Sequence, residues 1–182
     1  MARLTVGEYF PDFTLETPFE KDLKMADIAA RATKTAMVFL RYFGCTFCQF
    51  DMLTYKKLYD EIVQDGGQFL VILQSDPGKL AEKITPETYP YPIVCDPEQV
   101  MYKELSIDPA KSREEMGGEK TMAKLAIVRQ TDLKHGEYEG NEMQLPAVFV
   151  MDENRRLIYV HYGTSGGDSP TAQELKELLA KA

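Results

Sequence analysis

Two long apolar runs, separated by an amphipathic stretch, limit this chain to a small set of architectures. The runs are TAMVFLRYF (35–43) and QFLVILQSD (68–76). Near-continuous hydrophobicity over this length is typical of strands that are covered on both faces of a sheet. Between them, residues 46–65 place apolar side chains at helical spacing, with charges on the opposite side. The order predicts a strand–helix–strand unit.

Later segments extend this alternation of strands and helices. Residues 89–107 predict a strand followed by a helix, and residues 145–163 predict a hairpin. Residues 169–182 predict a closing helix, with Ser169 as its N-cap and Pro170 at its first position. The predicted fold class is therefore α/β, with a central mixed sheet flanked by helices.

The length and composition favour one globular domain. A chain of 182 residues suits a single domain with its own core, so we interpret residues 1–182 as one unit. Apolar residues make up 44% and charged residues 27%, values that are ordinary for a soluble protein. Residues 108–144 are polar and weakly periodic, and we interpret them as an irregular or helical insertion.

Charge and hydropathy exclude several classes of partner. A formal net charge of −8 argues against nucleic acid, because phosphate binding needs a basic face. No run reaches the roughly 18 apolar residues of a membrane span, and the N-terminal residues lack the pattern of a signal peptide. We therefore expect a cytoplasmic protein. In that reducing compartment, a cysteine pair is more often catalytic or metal-binding than structural.

The sequence FGCTFCQ places Cys45 and Cys48 where the first buried strand gives way to the helix. Free backbone N–H groups and the helix dipole at this position favour a negative charge on Cys45. A thiolate there has a lowered pKa and becomes a nucleophile. Cys48 lies one turn further along, so its sulfur can reach Cys45. The pattern predicts a redox pair in which Cys45 attacks and Cys48 resolves.

Two other interpretations of the pair stay open. Free cysteines are common as small core residues, and the two thiols could be structural. A zinc site needs four ligands, for which the other candidates are Cys95, His135 and His161, without a second C-x-x-C or an H-x-x-x-H spacing. We interpret Cys95, at the end of a buried strand, as a core residue. No metal and no organic cofactor is expected.

With these elements placed, the chain resembles the thioredoxin-fold superfamily and, more closely, the peroxiredoxin-like branch of the AhpC/TSA family. The resemblance is carried by VGEYFPDFTL, MVFLRYFGCTFCQ, YPIVCDPEQVMYKEL and the C-terminal stretch that begins MQLPAVFVMD. It covers most of the chain but not residues 108–140. It implies a thioredoxin-like (peroxiredoxin-like) fold.

The same resemblance separates two chemistries. Peroxiredoxins have the signature P-x-x-x-[TS]-x-x-C. Aligning its cysteine with Cys48 puts Cys45 at the Thr/Ser position and Arg41 at the Pro position. Pro146 stands where peroxiredoxins carry an arginine before a later strand. Thioredoxin-like reductases instead have C-x-x-C and a cis proline before that strand, and Cys45, Cys48 and Pro146 stand at these positions. The sequence leaves open whether Pro146 is a cis proline or only the first residue of an edge strand.

The resemblance therefore implies a thiol-disulfide oxidoreductase, an antioxidant protein whose dithiol cycles to a disulfide. Its substrate would be a protein or small-molecule disulfide, and an external thiol reductant such as a thioredoxin-like protein would restore it. One alternative is a peroxidase in which Cys48 attacks a hydroperoxide and Cys45 resolves. The other is a thioredoxin-fold binding module whose cysteines are inert or hold a metal.

Four further residues are candidates for supporting roles. Pro146 is predicted to shape the substrate groove and to keep a backbone edge available. Thr46 and Phe47 lie between the cysteines, and Phe47 offers an apolar rim. Arg41 either stabilises a thiolate or polarises a peroxide, or it is an ordinary surface arginine in an ion pair.

Overall fold

The computed structural model describes residues 2–181, which form seven strands and eight helices. In chain order these are β1 (Thr14–Leu15), β2 (Leu23–Lys24), α1 (Met25–Ala29), β3 (Lys34–Phe39), α2 (Thr46–Lys57), α3 (Tyr59–Ile62), β4 (Gln68–Leu73), α4 (Pro77–Ala81), β5 (Ile93–Cys95), α5 (Val100–Glu104), α6 (Arg113–Met116), α7 (Glu119–Val128), β6 (Ala147–Asp152), β7 (Leu157–Tyr162) and α8 (Ala172–Leu179). No helix within this part of the chain combines the length and the apolarity that crossing a membrane requires.

Five of the strands form the central sheet, in the order β5–β4–β3–β6–β7. The two apolar runs are its middle: β3 and β4 are parallel, with Ala36 opposite Phe69. β5 continues the parallel half, whereas β6 pairs antiparallel with β3, and β7 pairs antiparallel with β6. The predicted mixed sheet is confirmed.

Helices and loops cover both faces of this sheet, and β3 and β4 are buried at every position after their first residue. Val38 belongs to the core on the side of α2, α3 and α8. Its neighbours Met37 and Phe39 point to the opposite core, which also contains Phe149. This alternation follows from the two-residue period of a strand. It makes β3 a rigid support for the segment that follows it.

The closing helix begins later than the sequence predicts. Its N-cap is Thr171, whose hydroxyl accepts the N–H of Glu174 at 3.1 Å, while the Glu174 carboxylate accepts the N–H of Thr171 at 2.8 Å. The prediction of Ser169 as N-cap is wrong, because the reciprocal Thr-x-x-Glu capping box satisfies two backbone donors at once. Ser169 instead hydrogen-bonds with Asp51.

The segment 108–144 contains α6 and α7 and then a stretch without regular secondary structure. We call residues 133–142 of this stretch the strap. It runs past the end of the sheet where β3 and β4 finish, and it hydrogen-bonds there with residues that directly follow both strands. The position of the strap therefore bears on the cysteine pair.

Candidate active site

The chain leaves β3, makes a short turn and enters α2 with Cys45 as the N-cap residue. The backbone of Cys45 is extended, and its sulfur accepts the N–H of Cys48 at 3.4 Å. N-caps are usually oxygen-bearing side chains that satisfy the free N–H groups of the first turn. Here a sulfur does so, which places it at the positive end of a twelve-residue helix.

Arg41 contacts both sulfurs of the pair. Its backbone N–H donates to Cys48 Sγ at 3.4 Å, and its guanidinium Nη2 donates to Cys45 Sγ at 3.0 Å. The other guanidinium nitrogen, Nη1, donates to the carbonyl oxygen of Glu142 in the strap at 2.7 Å. The structure thus places this half-buried arginine against the thiol pair.

The environment pushes the pKa values of the two thiols apart. The pKa of Cys45 is lowered to about 6, first of all by a hydrogen bond from the Cys48 thiol. Burial alone would raise this pKa, but the charge of Arg41 and the N–H groups of Cys48 and Phe47 lower it further. The pKa of the Cys48 thiol is raised well above its usual range, and the largest cause is its burial. Of the two, Cys45 is therefore the thiolate near neutral pH, and Cys48 holds the proton.

Replacing Arg41 with methionine is expected to raise the pKa of Cys45 by about one pH unit or more, because a hydrogen bond to a charged group contributes roughly 1.5–3 kcal/mol. The rate of alkylation by iodoacetamide, measured against pH, gives this pKa directly. The exposed arginine Arg31, replaced in the same way, is the control and should leave the profile unchanged. An unchanged midpoint in Arg41→Met would show that its guanidinium does not stabilise the thiolate.

Pro146 is buried immediately before β6, at the end of the sheet that also carries Arg41. None of the peptide bonds within residues 2–181 is cis. The bond that precedes Pro146, whose isomer the sequence left open, is therefore trans, unlike that of the cis proline in thioredoxin-like reductases. The backbone here is also not left available, because the Pro146 carbonyl accepts the N–H of Gly163 at 2.8 Å. A Cβ at Gly163 would lie 2.6 Å from that carbonyl oxygen, so only glycine permits the approach.

The remaining sequence candidates fall into two places. Thr46 and Phe47 are the first residues of α2 and are half-buried, and Phe47 packs against the core beneath the helix. Cys95 is buried at the end of β5, two strands away from β3 in the sheet. Burial raises the pKa of its thiol to about 12, which fits a core residue.

The residues considered as zinc ligands have other partners in the structure. His135 Nε2 is hydrogen-bonded to the Tyr42 hydroxyl at 2.8 Å, and His161 Nε2 to Asp168 at 2.9 Å. Over residues 2–181, no three side chains of histidine, cysteine, aspartate or glutamate are grouped so that they could hold a metal ion.

Sequence reasoning missed the strap as a neighbour of the cysteines. Glu142 contacts Arg41 through a backbone carbonyl, and Gln49 of α2 donates to the carbonyl oxygen of Lys134. Backbone contacts of this kind leave no mark in side-chain patterns. The polar, weakly periodic composition that suggested an insertion was the available signal, and it does not indicate where such a segment lies.

Comparison with known proteins places this geometry in context. A model described as the AhpC/TSA family matches residues 6–160, whereas no curated protein sequence matches the chain. The peroxidoxin BcpB of Mycobacterium tuberculosis is 13% identical with a TM-score of 0.69, covering 97% of each chain. A mutant of peroxiredoxin 6 from Arenicola marina is 14% identical with a TM-score of 0.65, covering 97% of this chain and 72% of its own.

A third similar structure carries a different description. It is assigned as a thiol:disulfide interchange protein, DsbE, from Chlorobium tepidum, and it is 13% identical with a TM-score of 0.59, covering 97% of this chain and 96% of its own. At these identities the likenesses show the fold alone, which is thioredoxin-like and peroxiredoxin-like.

Proposed function

This chain belongs to the AhpC/TSA family, and from that premise we propose that it is a dithiol oxidoreductase in which Cys45 attacks and Cys48 resolves. A thiol-based redox function is common to the family. The observation that carries the finer assignment is the contact of the Arg41 guanidinium with Cys45 Sγ at 3.0 Å. With the helix N-terminus, this charge favours the thiolate on Cys45, whereas burial keeps Cys48 protonated.

With a disulfide substrate, the cycle needs only these two sulfurs. The Cys45 thiolate bonds to one substrate sulfur, the substrate S–S bond breaks, and a substrate thiolate leaves. Cys48 then gives its proton to the substrate thiolate that left first and attacks the Cys45 sulfur, which releases the second substrate thiolate and closes the Cys45–Cys48 disulfide. Two electrons have moved to the substrate. An external dithiol, such as a thioredoxin-like protein, returns them by the reverse exchange.

A hydroperoxide is a second candidate substrate, favoured by the position of Arg41 beside the attacking sulfur. The thiolate bonds to the terminal peroxide oxygen, the O–O bond breaks, and the departing alkoxide takes a proton from water. Cys48 then attacks the sulfenic acid on Cys45, and hydroxide leaves to combine with the Cys48 proton as water. A cationic donor beside the reacting atoms stabilises the charge that develops on the leaving oxygen.

The first test is to mix fully reduced protein with hydrogen peroxide and, separately, with glutathione disulfide, and to follow the mass. We expect a product two hydrogens lighter, linked between Cys45 and Cys48 in a peptide map. The rate with hydrogen peroxide should rise with pH through about 6, the pKa of Cys45, and then level off. Rates no better than those of free cysteine with both oxidants, or a linkage through Cys95, would contradict the proposal.

A further inference from the structure

A cavity of about 330 Å³ lies between α2, α7 and the segment that enters α8. Its walls are mostly apolar: Phe50 and Tyr55 contribute aromatic rings from α2, and Ile127 contributes an aliphatic side chain from α7. Neither Cys45 nor Cys48 belongs to the lining, so the cavity is separate from the proposed active site. A volume of this size with mostly apolar walls and a few polar groups is typical of sites for small molecules.

Three buried polar residues, Asp51, Lys124 and Ser169, belong to the same lining. The Lys124 ammonium lies 2.9 Å from each carboxylate oxygen of Asp51 and donates to the Ser169 hydroxyl at 2.6 Å. That hydroxyl in turn donates to the Asp51 carboxylate. The three side chains therefore form one hydrogen-bonded group in the wall of an otherwise apolar cavity.

The buried donors of this lining all have partners, whereas one acceptor has capacity left. The three N–H groups of Lys124 and the O–H of Ser169 have acceptors within the group, and the Tyr55 hydroxyl donates to the carbonyl oxygen of Pro170. A carboxylate offers about four acceptor sites, and the contacts to Asp51 occupy three of them. A ligand can therefore add a donor here, but a further acceptor would find no buried donor.

The charges at the cavity also favour a positively charged ligand. Lys124 pairs with Asp51, and Lys120 pairs with Asp168, which leaves the lining residue Glu174 without an ion pair over residues 2–181. Burial raises the pKa of Asp51 more than Lys124 lowers it, so a second cation would stabilise this carboxylate.

We infer that this cavity is a binding site for a small primary amine with an apolar body. Its ammonium donates to the open acceptor site of Asp51, and its hydrocarbon lies against Phe50 and Ile127. The faces of the aromatic rings in the wall also attract a cation. Because the site uses neither cysteine, it is a function beyond the proposed redox chemistry.

The test compares three probes that share a six-carbon chain and differ at its end: hexylamine, hexanol and hexanoate. Each is titrated into the full-length reduced protein at pH 7, and binding is followed by the amide signals in nitrogen–proton correlation spectra. We expect the largest shifts at Thr54 and Ala123, which line the cavity from α2 and α7. Hexylamine should bind at least about tenfold more tightly than hexanol, the difference expected for a hydrogen bond to a charged group, and hexanoate should bind most weakly.

Ala123→Phe blocks the cavity from an exposed position of α7, and so leaves the buried core intact. It should weaken the binding of hexylamine at least about tenfold. Met122→Phe is the matched control, because Met122 is the preceding residue, is 58% exposed and is not part of the lining. Its dissociation constant for hexylamine should stay within about twofold of that of the unmodified protein.

Two further variants test the charges. Glu174→Gln keeps the capping box, since glutamine serves there as well as glutamate, and should weaken hexylamine binding by about threefold. The double variant Asp51→Asn with Lys124→Met has no buried charge, and in it hexylamine and hexanol should bind within about threefold of each other.

Four outcomes would overturn the inference. None of the probes could bind, or hexylamine could shift amides elsewhere in the chain. Hexanol or hexanoate could bind to the unmodified protein as tightly as hexylamine, which would mean that the carboxylates do not recognise the ligand. Ala123→Phe could bind hexylamine as well as Met122→Phe does. None of these results bears on the proposed function, which is tested by the formation of the Cys45–Cys48 disulfide.

Discussion

Replacing Cys45 with serine is expected to lower the rate of oxidation by at least about a thousandfold, whereas replacing Cys48 should leave the first half of the cycle intact. Cys45 is the sulfur that the hydrogen bond from Cys48, the charge of Arg41 and the N–H groups of the helix N-terminus stabilise as a thiolate, whereas Cys48 is protonated and buried, so the cysteine that remains in Cys45→Ser reacts slowly. In Cys48→Ser the serine hydroxyl replaces the thiol as hydrogen-bond donor to Cys45, so the attack still occurs, but no second thiol displaces the product. One equivalent of hydrogen peroxide should be consumed, leaving a sulfenic acid on Cys45 that dimedone traps.

Cys95→Ser is the control for loss of a thiol elsewhere in the chain. Cys95 is buried at the end of β5, and the variant should oxidise at the rate of the unmodified protein. If Cys45→Ser still consumed one equivalent of peroxide rapidly, the roles would be exchanged. Cys48 would then be the attacking thiol and Cys45 the resolving one, as in the alternative peroxidase reading of the sequence.

The assignment of roles shows how far local sequence can predict chemistry. Cys45 and Cys48 are the same residue type, three positions apart, and only the helix boundary distinguishes them. The boundary follows from the end of an apolar run and the start of helical periodicity, so the acidity of Cys45 was predictable. The contact of Arg41 with both sulfurs was not, because it depends on the path of the turn that joins β3 to α2.

The same division applies to the fold. The strands β3 and β4 could be predicted because strands buried on both faces give a long apolar run in the sequence. The position of the strap could not be predicted, because it is held by backbone carbonyls and by isolated side-chain hydrogen bonds. One example is the hydrogen bond from Ser75 to Glu139, which are 64 positions apart. Contacts of that range are set by the assembled sheet and not by local preference.

A buried ion pair behind the cysteines is the second feature with a large expected effect. Asp51, one turn after Cys48 on α2, lies 2.9 Å from Lys124 of α7, and the two side chains are 7% and 10% exposed. Ser169 donates to the same carboxylate at 2.5 Å. Burial raises the pKa of Asp51 more than Lys124 and Ser169 lower it. The carboxylate is therefore costly to bury, and Lys124 offsets part of that cost.

Lys124→Met should reduce the free energy of unfolding by about 3–5 kcal/mol at pH 8, because it leaves the buried carboxylate without its partner. Urea unfolding measures this directly. Lys120→Met on the same helix is the control. Lys120 is 57% exposed, and its partner Asp168, although only 5% exposed, keeps its hydrogen bonds with His161 and with the N–H of Thr164, so the expected loss is below about 1 kcal/mol.

The loss in Lys124→Met should also depend on pH. Without the ammonium, the pKa of Asp51 in the folded state rises further above its unfolded value of about 3.9. The folded state then binds the proton more tightly than the unfolded state, so stability falls as the pH rises between these two pKa values. The deficit should accordingly be smaller at pH 5 than at pH 8.

The double variant Asp51→Asn with Lys124→Met, which has no charge to bury, should recover most of the loss at pH 8 and remove its pH dependence. A deficit that is equal at both pH values, and unchanged in the double variant, would mean that lost packing around Lys124 is the cause and that the buried charge is not.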